Sequence, residues 1–154
     1  MEDYCSGFAE GIKSAGGSAD VLPLPATAEG NVTAVAQAIK AYLLEHPDVN
    51  AVFTTANLDA VGAVQGIAQA GMDDKVKVCG VNFDQAILAQ IQAGAQSCAI
   101  DQQGYQQGFY AVSILNGHIN YGLNIPTREI LTGPGVVDAA NIEATLTGAS
   151  MGTR

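Results

Sequence analysis

Positive charge is the scarcest commodity in this sequence: six Lys and Arg stand against fifteen Asp and Glu, for a net charge of −9 at pH 7 over 154 residues. Nucleic acid is held largely by clustered Lys and Arg on phosphates, so this balance argues against such a partner. The nearest thing to a cluster, Lys75 with Lys77, flanks a strand-like run and reads as ordinary surface. Long apolar runs are also missing, and none approaches the ~20 residues of a membrane-spanning helix. The opening Met-Glu-Asp-Tyr is acidic and has no apolar segment of the secretory kind, so the chain as written is expected to stay in the cytoplasm. Cysteine is sparse: Cys5, Cys79 and Cys98 form no CxxC and cannot all pair. Cys79 and Cys98 lie inside apolar runs, where they read as small hydrophobes.

Catalytic signatures are absent as well. There is no GxSxG elbow, GxGxxG fingerprint, Walker loop or HExxH pair, so neither an enzyme nor a cofactor is expected. The glycines from Gly11 to Gly17 end a helix rather than lead a strand into one, and make no phosphate cradle. His46 and His118 both fall at helix ends beside turn residues and read as terminal residues rather than catalysts or ligands. Asn31-Val32-Thr33 matches a glycosylation acceptor but is short enough to be incidental. Asp59, Asp84 and Asp101 are the one carboxylate set that would serve a metal or acid–base chemistry, a secondary reading.

What remains is a composition 48% apolar and 14% charged, long enough for one domain with a sizeable core. Apolar runs alternate with helical stripes, the pattern of βα units and a parallel sheet. Helices are predicted at about 3–14, 31–45, 59–70, 85–93, 105–116 and 139–146. Strands are predicted at 20–24, 51–55, 76–81, 96–100 and 129–131. In the second helix Val32, Val35, Ala36, Ile39, Tyr42 and Leu43 share one face at 3.6-residue spacing. The fifth carries Tyr105, Phe109, Val112 and Leu115 along one stripe, with Gly117 as its stop.

In open parallel sheets ligands bind beyond the carboxyl ends of the strands. Those ends hold Thr54, Thr55, Asn57 and Asp59; then Asn82, Phe83 and Asp84; then Asp101, Gln102, Gln103 and Tyr105. Amides, hydroxyls and single carboxylates exchange hydrogen bonds with hydroxyl groups, and aromatic rings cover apolar C–H faces. The set suits a sugar or polyol.

Four stretches, GFAEGIKSAGG, HPDVNAVFTTANLDAVGA, VKVCGVNFD and IDQQGYQQGFYAV, carry a resemblance that spans about residues 4–145. In order and spacing they resemble the C-terminal half of a type I periplasmic sugar-binding protein, the ribose-binding-protein-like substrate-binding component of an ABC importer. YGLNIPTREILTGPGVVDAANI resembles one subgroup. The resemblance implies an α/β lobe with a parallel sheet and crossover helices, lacking its first strand. It implies that residues 1–101 and about 133–150 form the sugar-binding lobe. About 102–132 would be a crossover helix and strand that pack on an absent N-terminal lobe. By position it makes Asp84 an acceptor for sugar hydroxyls, places Gln102 at the lobe crossover, and gives the remaining polar role to Asn57 or Asp59. Phe83 and Tyr105 would be walls. Tyr4 departs from the pattern, standing where many members have a ligand-binding arginine.

The function so implied is binding of a monosaccharide or cyclic polyol between two lobes, with delivery to a membrane permease in the periplasm. The effector-binding lobe of a LacI-type regulator shares the fold and is the alternative; a flavodoxin-like enzyme is a weaker one. Without its partner lobe the chain is expected to bind sugar weakly or not at all, and to self-associate or fold only in part.

Overall fold

The computed structural model describes residues 2–28, 30–125 and 128–154. Its elements are α1 (Glu2–Ser14), α2 (Val32–Glu45), β1 (Ala51–Thr54), α3 (Asn57–Ala70), β2 (Lys77–Val81), α4 (Gln85–Gln92), β3 (Cys98–Asp101), α5 (Gly104–Tyr121), β4 (Gly135–Asp138) and α6 (Ile142–Ser150). The strands form one sheet in the order β1-β2-β3-β4. The first three are parallel and joined by crossover helices α3 and α4, the expected parallel sheet; β4 is added antiparallel to β3 at the edge.

Strand alternation puts Val52, Val78, Ala99 and Val137 on one face. That face is covered by α2, α3, α4 and α6. One part of the core joins Val35, Ile39 and Leu43 of α2 to Ala63 and Ile67 of α3 and to Val78. The other joins Ile87, Leu88 and Ile91 of α4 to Ala99, Val137 and Ile142. Each such aliphatic side chain removed from water contributes about 1.5–3 kcal/mol. The stripe read from the sequence of α2 is borne out at Val35, Ala36, Ile39 and Leu43, all buried. On the opposite face the ring of Phe8 in α1 stacks on Phe53 at 4.6 Å.

Cys79 and Cys98 are register partners on adjacent strands, with Cα atoms 4.7 Å apart, and are joined as a disulfide. They are therefore not free hydrophobes. The bond closes the β2–α4–β3 unit, whose cysteines are 19 residues apart. Closing a loop of that length stabilises by about 3 kcal/mol in the chain-entropy picture.

Three other expectations change. Residues 20–24 form no strand: Pro23 and Pro25 lack N–H donors, and β1 has no second neighbour among the described residues. Residues 129–131 are also irregular, with Leu131 exposed, and the last strand lies at Gly135–Asp138 instead. Helix α5 runs through Gly117 and ends at Gly122, whose left-handed backbone (φ 65°) makes the cap. Pro126 and Thr127, inside the subgroup-like stretch, lie outside the described residues.

Helices α1 and α5 meet the other described elements through isolated contacts at most, unlike α2, α3, α4 and α6. Tyr105, Phe109, Val112, Leu115 and Ile119 are all exposed along α5.

Candidate functional site

The carboxyl ends of β1, β2 and β3 open onto one cleft of about 590 Å³. Its wall includes Asn57, Asn82, Phe83, Asp84, Asp101, Gln102, Gln107 and Arg154. Three of the four residues expected to bind ligand, Asn57, Asp84 and Gln102, are brought together here from three separate strand ends. The fourth, Asp59, sits two residues into α3 in its first turn, where a carboxylate complements the helix dipole, and does not line the cleft. Phe83 forms part of the wall and packs against the core beneath it. Tyr105 does not line the cleft; it is half exposed and stacks with Phe109. Tyr4 is exposed on α1 and is likewise outside it.

Local structure explains the placements. The Asp84 side chain is the N-cap of α4: Oδ1 accepts from the Ile87 N–H at 3.0 Å. Its second oxygen, Oδ2, accepts from Asn57 Nδ2 at 3.5 Å, linking two strand ends. At the end of β3, Asp101 Oδ1 accepts from the Gln103 N–H at 2.7 Å. Gln103 is held there with φ 57°, and Asn82, at the end of β2, with φ 66°. These are the non-glycine residues with left-handed backbones among those described. Such conformations cost on the order of 1–2 kcal/mol and concentrate at functional sites. The Gln102 carbonyl accepts from Gln107 Nε2 at 2.7 Å and from Thr132 Oγ1 at 3.2 Å, which fixes the crossover peptide and leaves the Gln102 amide for the cleft.

Sequence reasoning missed Gln107 and Arg154. Gln107 lies one turn into α5, on the side of the helix that faces back to Gln102. Arg154 reaches the cleft only because the chain reverses at Gly152 (φ 69°), a turn with no signal in the pattern of apolar residues. The other polar residues that drew attention have structural roles. Asn31 Oδ1 caps α2 by accepting from the Ala34 N–H at 3.1 Å. His46 stacks on Tyr42, and His118 Nδ1 is 2.9 Å from the Leu123 carbonyl oxygen.

A single lobe of this kind, with polar side chains at the strand ends of a mostly parallel sheet, defines a ligand-binding α/β domain. Residues 1–123 match the profile of the periplasmic binding protein domain, and the chain belongs to that family. Among solved structures it is similar to a carbohydrate transporter from Acidothermus cellulolyticus 11B in complex with myo-inositol. Identity there is 34% and the TM-score 0.68, covering 80% of this chain and 43% of that one. It is also similar to a periplasmic ribose ABC transporter from Conexibacter woesei, at 25% identity and TM-score 0.68, over 79% of this chain and 41% of that one. A solute-binding protein from Agrobacterium vitis bound with α-D-tagatopyranose shares the fold at TM-score 0.75 and 23% identity, over 94% of this chain and 47% of that one. The chain thus spans less than half the length of these structures. No curated protein matches it.

Proposed function

We propose that this chain is one lobe of a two-lobed protein that binds a neutral monosaccharide or cyclic polyol for an ABC importer. The observation that carries the reading is the convergence of Asn57, Asp84 and Gln102, from three strand ends, on one open cleft. Asp84 accepts from ligand hydroxyls, while Asn57 and Gln102 both donate and accept. Myo-inositol in the similar Acidothermus cellulolyticus structure supports a polyol ligand. Asp59 contributes indirectly, by stabilising the start of α3 beneath Asn57.

Residues 1–101 and about 133–150 are the binding lobe, and about 102–132 the crossover segment that docks on a second lobe. The unpacked apolar face of α5 supports that division. Closure of two lobes over ligand is hinge motion, and the closed form is what a membrane permease would recognise. Placement in the periplasm, not the cytoplasm, is supported by the Cys79–Cys98 disulfide, since such bonds persist in oxidising compartments. The transporter character of the similar solved structures favours this reading over a transcription regulator or an enzyme.

The test is a calorimetric panel of neutral sugars, cyclic polyols, sugar phosphates and nucleotides against a two-lobed protein carrying this chain. Tight binding is expected for a neutral member. Tight binding of a phosphorylated ligand with no response to neutral ones would overturn the proposal.

A further inference from the structure

Asp101 and Arg154 share the cleft with the residues above but have no part in that reading. Asp101 is only 5% exposed at the end of β3. Its Oδ1 is used by the Gln103 N–H, whereas Oδ2 has no hydrogen-bond partner among the described residues. What faces Oδ2 is Arg154 Nε at 3.7 Å, an ion pair too long to be a hydrogen bond. The guanidinium is brought there by the segment after α6. A left-handed turn at Gly152 and the Thr153 N–H donating to the Gly148 carbonyl fold the chain back. Arg154 Nη1 then donates to the fully buried Thr145 Oγ1 at 2.7 Å. Two contacts from different elements therefore orient the group. A guanidinium has five N–H donors in a rigid plane, so several remain for a ligand.

The charge balance of the wall gives this pair a consequence. Its charged members are Asp84, Asp101 and Arg154, two negative and one positive, for a net of −1. Arg154 supplies strong donors, but its charge is cancelled by Asp101 a few ångströms away. We propose that Arg154 contacts the ligand's hydroxyl oxygens and that its pairing with Asp101 sets the cleft's preference for neutral polyols over carboxylated sugars. This rests on the polyol-binding reading of the same cleft. A carboxylate entering the cleft meets net negative charge. With Asp101 neutralised the wall would carry no net charge and the guanidinium, the side chain best suited to carboxylate, would have lost its adjacent partner. With Arg154 neutralised the carboxylate would meet two unopposed acidic groups.

The sequence holds two arginines, Arg128 and Arg154, so arginine side-chain Nε–H signals report on Arg154 with an internal control. The experiment titrates a two-lobed protein, isotope-labelled in this chain's segment alone, with myo-inositol, D-galactose and D-galacturonate. It follows those signals together with the backbone amides of Asn57, Asp84 and Gln102. Support is a saturable shift of Arg154, with the midpoint of the backbone amides, while Arg128 stays still. For Asp101→Asn the affinity ratio of galacturonate to galactose should rise about tenfold; for Arg154→Gln it should fall by a similar factor. A purely structural role would weaken both sugars together and leave the ratio unchanged, which overturns the inference. Movement of the cleft amides with a silent Arg154 also overturns it, while leaving the polyol reading intact. No response anywhere in the cleft counts against both. Because Asp101 is buried, Asp101→Asn that fails to fold would leave the decision to Arg154→Gln, whose side chain lies at the surface end of the pair.

Discussion

Asp84 divides one carboxylate between two tasks. Oδ1 ends the orphan N–H of the first turn of α4, and Oδ2 points to Asn57 across the cleft. Replacement by alanine should therefore show in two measurements. Sugar binding by a two-lobed protein carrying this chain should weaken by about 2–4 kcal/mol, because a charged acceptor is withdrawn from buried hydroxyls. Folding stability, read from the thermal transition, should fall by the ~1 kcal/mol that an N-cap contributes. Asp84→Asn separates the two, since asparagine caps about as well as aspartate but offers no charge. Gln102→Ala should cost less, about 1–2 kcal/mol in binding, because its hydrogen bonds are neutral. Calorimetry on the three variants checks the ordering, and a larger loss at Gln102 than at Asp84 would contradict the assigned roles. The polar strand ends that hold these residues were readable from the sequence, because ligand sites in open parallel sheets lie at one predictable edge. The separation of Asp59 from Asn57 was not, since it depends on where α3 begins: helix onset at Asn57 places Asp59 on the helix and away from the opening.

Between elements, the tightest junction is α2 against α3. A Cβ built on Gly66 would lie 2.5 Å from the Ala36 carbonyl oxygen, and one on Gly62 would lie 2.7 Å from Val35 Cβ. Backbone cannot step aside as a flexible side chain can. Gly66→Ala should thus destabilise the fold even though alanine is the better helix former by about 1 kcal/mol. Overpacking of this kind costs about 1–3 kcal/mol, so after that gain a net loss of up to about 2 kcal/mol in urea denaturation is expected. A gain would mean that the helices can separate freely. Helices α2 to α4 were visible in the sequence because the 3.6-residue apolar stripe is imposed by the same sheet face they cover. The irregular parts lacked such a cause. Segment 20–24 has β-type composition but no ladder to join, and β4 contributes only Val136 and Val137 between a glycine and an aspartate. The Cys79–Cys98 bond follows from the register of β2 on β3, which no single strand's composition reveals.

At the scale of the whole molecule, the outer edges of β1 and β4 have no strand partner among the described residues, and the apolar side of α5 lacks cover. On α5, Val112 is 68% exposed and Ile119 73%, with Phe109 and Leu115 alongside. The helix has not folded back over its own sheet, which would have hidden them. Four such side chains would gain very roughly 1.5–3 kcal/mol each on burial, and contiguous apolar surface of this kind tends to find a partner. The open strand edges add unpaired backbone groups that another chain can meet. Opposing association is the charge of −9 on each copy. That repulsion acts through solvent and is screened within about 8 Å at 0.15 M salt, whereas apolar burial is not weakened by salt. Attraction should win as ionic strength rises. The isolated chain is therefore expected to self-associate, more strongly at 0.5 M than at 0.02 M NaCl (both roughly bracketing the physiological range), as seen by sedimentation velocity. Val112→Glu combined with Leu115→Glu should restore a monomer without lowering the melting temperature, because neither side chain packs on the core. A wild-type chain that stays monomeric across that salt range, with one sharp transition raised by sugar, would show that the face of α5 is satisfied within a single copy.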